Sequence, residues 1–234
     1  MRNNILIPGL LVFVLFNIHI CKAQWIDNKI NIYAGYQTGM FRGNKQVHDG
    51  NFVFPSLYGN MNNSNGMFTK ISCNCHPFIS YGLELTHLIA SDWKYDSNQV
   101  YTGSEIRMNS MAPVIQLHSK FLQKGVFNRF RFFIELSPVI GISDFTSSRQ
   151  LFNIQSSVDS ISAPKKSNDV FYGFKGNAGI EWAFSQSTSL MISYSLQHNW
   201  VESILYSDTH FTVSQLKIGL LFKLMKDERF LYRN

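Results

Sequence analysis

From residue 29 onward the apolar residues recur at every second position, and a period of two confines the chain to β-structure. The clearest stretch is 78–89, where Ile79, Tyr81, Leu83 and Leu85 share one face and Ser80, Gly82, Glu84 and Thr86 the other. Residues 130–143 repeat it, with Phe132, Ile134, Leu136, Pro138 and Ile140 opposing Arg131, Phe133, Glu135, Ser137 and Val139. So do 170–184 (Tyr172, Phe174, Ile180 and Trp182 against Lys175, Asn177, Gly179 and Glu181), 189–199 (Leu190, Ile192, Tyr194 and Leu196 against Ser193, Ser195 and Gln197) and 213–224 (Leu216, Ile218, Leu220 and Phe222 against Gln215, Lys217, Gly219 and Lys223). Weaker versions at 30–40, 67–75 and 111–121 bring the expected strands to eight, the even number that a closed single-chain barrel requires.

The polar face decides between barrel and sandwich. A soluble sandwich places Lys, Glu and Asp at most solvent-facing strand positions. Here that face is mainly Gly, Ser, Asn and Gln with scattered charges, and charged residues are only 15% of the chain. Such a face suits a narrow, hydrogen-bonded lumen, with the apolar face turned to lipid. Aromatic residues, 20 Phe among them, reach 15% and supply rings for the membrane interfaces.

The first residues set the compartment. Arg2, the apolar run Ile5–Ile20 and Cys21-Lys22-Ala23 before Gln24 have the form of a secretory signal, which assigns 1–23 to a cleaved leader. The run carries Pro8, Asn17 and His19 and falls short of the roughly 20 residues of a spanning helix. Ile20 stands before Cys21 where a lipidation site takes a small residue. No later run is long enough for a membrane helix, so an integral membrane protein must cross with strands. Without the leader, 19 basic residues face 15 acidic ones, a dispersed net charge of +4 that offers no concentrated surface for nucleic acid.

Connections near His76-Pro77, over 122–128 and over 185–188 are short, whereas those over 42–66, 91–105, 143–168 and 199–210 are long and rich in Asn, Ser, Gly and Asp. That alternation places both termini in the periplasm. The chain then divides into a leader, a barrel over 24–224 and a charged periplasmic tail over 225–234.

The inward charges Glu84, Lys120, Arg131, Glu135, Lys175, Glu181 and Lys217, with Lys223, come from several strands and must pair when enclosed. They form a structural ion-pair network, with a proton or ion path as the functional alternative; eight strands leave no room for a diffusion pore. Adjacent His118 and Ser119 point to opposite faces and cannot act together as base and nucleophile, and no triad is found, so no enzyme is expected. Cys73 and Cys75 are too far apart on one strand to bridge, and with His76 they lack a fourth metal ligand. They read as small apolar side chains facing lipid. No phosphate-binding loop occurs, and neither metal nor cofactor is expected. Phe52, Phe54, Tyr58, Trp93, Tyr95 and Tyr101 offer either a binding patch or loop packing.

His76-Pro77-Phe78 followed by Tyr81-Gly82-Leu83-Glu84-Leu85, the segment Asn177-Ala178-Gly179-Ile180-Glu181, the strand 190–194 and the ending Gln215-Leu216-Lys217-Ile218-Gly219-Leu220 carry a resemblance. Through them the chain resembles the small eight-stranded outer-membrane barrels of Bacteroidota, distantly like the OmpA and OmpX type. The resemblance implies an eight-stranded antiparallel up-and-down transmembrane barrel in a Gram-negative outer membrane, monomeric among lipid and lipopolysaccharide. It implies a non-enzymatic role, structural, adhesive or host-interacting, with an extracellular protein as partner. The alternative is an accessory barrel of a secretion or gliding apparatus with a machinery partner; a narrow channel and a lipid A-modifying enzyme rank behind. Such barrels often end on an aromatic residue, whereas this chain continues as the tail from Met225 to Asn234.

Overall fold

A computed structural model describes residues 30–43, 47–49, 52–54, 61–76, 78–96, 100–119, 130–151, 160–185, 187–202 and 209–224. Ten strands follow in chain order: β1 (Ile30–Gly43), β2 (Val47–Asp49), β3 (Phe52–Phe54), β4 (Met61–His76), β5 (Ile79–Asp96), β6 (Val100–His118), β7 (Phe130–Leu151), β8 (Ser160–Ala183), β9 (Thr188–Glu202) and β10 (Thr209–Leu224). Among the described residues β2 and β3 pair only with each other. The other eight close an antiparallel barrel in which β1 is flanked by β4 and β10.

The register fixes the barrel's shape. From Ile30 the paired residues run through Cys73, Tyr81, Ile115, Leu136, Gly176, Leu196 and Ser214 and return to β1 at Met40, a stagger of ten residues. With a rise of about 3.3 Å per residue and strands about 4.8 Å apart, eight strands so staggered tilt by about 41° and enclose a backbone radius of about 8 Å. Only side chains fit inside.

The period of two becomes inside and outside. Ile134, Leu136, Phe174, Tyr194 and Leu196 are more than half exposed on the outer wall, while Glu84, Glu135, Glu181 and Lys217 are at most 1% exposed within. Aromatic rings gather at two levels of the outer wall. Phe130, Trp182 and Phe184 pack together at one end, and Tyr172, Phe174, His198 and Trp200 near the other. On β8 Tyr172 and Trp182 are ten residues apart, which on a strand tilted by about 41° is about 25 Å of height, the width of the apolar band of an outer-membrane barrel.

The long connections are shorter than expected. Residues 91–96, 100–105, 143–151 and 160–168 are strand, not loop: β5 and β6 pair to Asp96↔Val100, and β7 and β8 to Leu151↔Ser160. These segments are rich in Ser, Thr, Asn and Gly and carry no apolar alternation, so the sequence resembles a loop while the backbone ladder continues. The segment 42–66 likewise contains the β2–β3 hairpin. Among the described residues β4 pairs with β5 up to Asn63↔Ser91, and β9 with β8 up to Val170↔Glu202. Beyond those points β5, β6, β7 and β8 rise as a four-stranded sheet on one side of the mouth. Pro164, which cannot donate to a ladder, lies where the β7–β8 register shifts between Ser147 and Arg149.

A closed ladder has no edge to unzip. The folded protein is therefore expected to resist SDS and to change apparent mass on gel electrophoresis only after boiling; an unchanged band would contradict closure.

Candidate functional site

The lower half of the lumen, toward the Ile30 and Leu224 end, is a set of buried ion pairs. Glu84 on β5 sits between two cations: its Oε1 accepts from Lys175 Nζ at 2.8 Å, from Lys217 Nζ at 2.6 Å and from Thr86 Oγ1 at 3.0 Å. Glu135 on β7 accepts from Lys70 Nζ at Oε1 and from Asn177 Nδ2 at Oε2, the latter at 2.7 Å. Lys70 also donates to Gln116 Oε1 at 3.2 Å. Glu181 on β8 accepts from Arg131 Nε and from the Tyr33 hydroxyl. Three carboxylates thus take their partners from six strands, and the network ties the wall together across the lumen.

Two of the lumen cations lie along aromatic rings. Lys70 Nζ is 3.9 Å from the Tyr33 ring centroid and Lys217 Nζ 5.0 Å from that of Phe68. Gly35 and Gly219, paired opposite one another, make the space for Phe68: a Cβ on either would lie 2.8 Å from the ring.

The upper half holds an apolar cluster, with the buried Gln197–Asn199 pair registered against Val213 and Phe211. Phe41 and Phe211 stack with centroids 4.9 Å apart, Phe171 meets Phe211 edge-on at 5.4 Å, and Leu88, Ile106, Met108, Ala112, Val139, Val201 and Val213 complete the layer. A charge network below and an aromatic layer above fill the bore.

Of the charges singled out from sequence, Glu84, Lys175 and Lys217 form one cluster, and Arg131 with Glu181 a second. Glu135 pairs with Lys70. Lys120 lies outside the described residues, and Lys223 is half-buried at the lumen's lower end. Sequence reasoning missed Lys70 and Tyr33. The signal for Lys70 was present: Met67, Ile71 and Cys73 alternate outward, which turns Phe68, Lys70 and Ser72 inward.

His118 and Ser119 do face opposite ways, with His118 buried and the exposed Ser119 Oγ accepting from the Phe132 amide. The lumen supplies His118 with another serine: Ser80 Oγ lies 2.5 Å from its Nε2. The Ser80 hydroxyl donates to Asn74 Oδ1 at 2.6 Å, so Nε2–H is the donor to Ser80, the reverse of a base taking a nucleophile's proton. The arrangement clasps β4, β5 and β6. Cys73 is on the outer face and half-buried, the side chains of Cys75 and His76 lie outside the described residues, and no group of three metal-ligating side chains occurs among the described residues. Of the aromatics considered as a binding patch, Tyr58 falls outside the described residues and the others lie on strands whose side chains are not described.

A closed eight-stranded ladder, an ion-paired lumen and an apolar wall with two aromatic rings define the class: a transmembrane β-barrel. No protein-family model matches the chain, and no curated protein does. Solved structures with the same architecture include Ail, the attachment invasion locus protein of Yersinia pestis (12% identity, TM-score 0.39, covering 84% of this chain and 99% of that one). Others are Neisserial surface protein A (11%, 0.41, 84% and 97%) and the outer membrane protein OprG of Pseudomonas aeruginosa (10%, 0.47, 85% and 97%).

Proposed function

We propose that this protein is a non-enzymatic barrel of a Gram-negative outer membrane that presents the projecting β5–β8 sheet at the cell surface, in an adhesive or host-interacting role. The observation that carries this reading is the one-sided projection. Ser160–Asp169 of β8 pairs only with β7 among the described residues, about 30 Å of strand beyond what the barrel needs to close. The connections support an orientation with the Ile30 and Leu224 end in the periplasm: the short link after β8 is at that end, and the projecting sheet is at the other. The filled lumen supports a role carried by the exterior over conduction.

Trypsin added to intact cells is expected to cut at Arg149, Lys165 and Lys166 on the projecting hairpin and to leave Lys70, Lys175 and Lys217 untouched. Replacing residues 146–166 with a tight turn should leave the boiling-dependent gel shift intact and abolish attachment to host cells or extracellular matrix. Undiminished attachment by the shortened protein would remove the sheet from the function; cleavage only after the outer membrane is opened would invert the orientation.

A further inference from the structure

One seam of the barrel is interrupted in mid-wall. Between β6 and β7 the pairing runs down to Met111↔Ile140, stops, and resumes at Ile115↔Leu136. The register sets Pro113 and Pro138 directly opposite each other in the gap. On their other sides the ladders continue past both prolines, through Leu83↔Pro113 to β5 and Pro138↔Phe174 to β8. Both missing N–H groups therefore point into the same seam, and both bonds that this pair would exchange are lost. About 13 Å of seam is left without a cross-strand bond.

The gap lies at membrane depth, on the strand stretch between the level of Phe130 and Trp182 and that of Ile140 and Tyr172. Water cannot satisfy the two stranded carbonyls there, which is why proline is ordinarily absent from the middle of a sheet. The seam is the least bonded part of the wall.

In front the seam is apolar; behind it apolar side chains alternate with polar ones, since Ser137 is buried on β7 and the register sets the buried Glu84 against Ala112 and Lys175 against Ser137. Behind the seam are the short buried side chains of Ala112, Val114 and Val139, and Ala112 and Val139 are continuous with Leu88, Met108 and Phe171 of the aromatic layer. In front, a groove of about 500 Å³ on the outer wall is lined by Met67, Leu85, Met111, Ile140 and Ile142, and it starts at the last bonded pair above the gap. Its polar element is His87 Nδ1, 2.7 Å from Asn109 Oδ1, an exposed pair within the apolar band. An amphiphile with one unbranched hydrocarbon chain matches this order: a polar end at His87 and Asn109, and a chain leading down the groove to the seam.

We infer that the β6–β7 seam is a lateral opening, closed in this structure, through which the end of a single acyl chain from the bilayer inserts among the short apolar side chains of Ala112, Val114 and Val139. The test uses the full-length protein in phospholipid vesicles and a fatty acid carrying a photoactivatable diazirine at the end of its chain, with adducts mapped by mass spectrometry. Adducts are expected on the inward residues Ala112, Val114, Val139 and Leu88 as well as on the outward Met111 and Ile140. In Pro113→Val/Pro138→Val, which restores both bonds, the inward adducts should fall several-fold while the outward ones persist. Pro138→Val alone restores one bond and should give an intermediate yield, so it serves if the double variant does not fold. Adducts confined to outward side chains in the native protein, or inward adducts undiminished when the seam is bonded, would overturn the inference.

Discussion

Glu84→Gln is expected to lower the unfolding free energy of the barrel by about 3–5 kcal/mol, read as a shift of the urea midpoint in detergent or vesicles. The carboxylate is buried and holds both Lys175 and Lys217, so its neutralisation strands two buried ammonium groups. Replacing Lys217 by Met in the Glu84→Gln background should recover part of the loss, because one stranded charge is removed along with its carboxylate. The Glu135–Lys70 pair gives a sharper comparison. Glu135→Gln should couple strongly to Lys70→Met, its partner. A double-mutant cycle that returned additivity for Glu135 and Lys70 would contradict the network as described.

The outer wall provides the other large effect. Leu136 is 67% exposed and stands on β7 between Phe130, which pairs with Trp182 in the lower aromatic ring, and Ile140, which pairs with Tyr172 in the upper. Leu136→Arg is expected to cost about 2–4 kcal/mol in lipid, because the guanidinium lies near the middle of the apolar band. Leu224→Arg, at the rim, should cost about 0–1 kcal/mol, since the side chain reaches headgroups and water. Equal penalties at the two positions would mean that the band between the aromatic rings is not the hydrocarbon layer.

The parts of this fold that were legible in the sequence are those where the two faces of a strand meet different surroundings. At 78–89, 130–143 and 213–224 lipid outside and ion pairs inside impose alternation, and the inward positions of Glu84, Glu135 and Lys217 follow from parity alone. The upper segments 143–151 and 160–168 are rich in Ser and lack a period of two, so these parts of β7 and β8 read as loops. Partner choice was less legible for a different reason. Parity turns a charge inward but does not say which of seven other walls it meets; that depends on the ten-residue stagger and on side-chain length. Lys70 reaches Glu135 across the lumen, with Tyr33 and Gln116 beside it, and nothing local to residue 70 announces it. The Ser80–His118 contact was hidden for the same reason, joining residues 38 apart in sequence.

The strand pair that closes the barrel is also the one most distant along the chain, with Ile30 opposite Leu224. Hairpins such as β5–β6 can form from neighbouring residues, but the last ladder must gather the two ends of nearly the whole polypeptide, and the loop-closure entropy is borne before any bond repays it. Folding should therefore be slow and effectively all-or-none at its final step. Until β10 is made and docked, β1 and β9 each present an unsatisfied edge, the state in which such a chain aggregates. The chain thus depends on being held unfolded until its C-terminal strand is available. A chain cut before Thr209 should accumulate as a degraded or aggregated species, not as a seven-stranded sheet in the membrane.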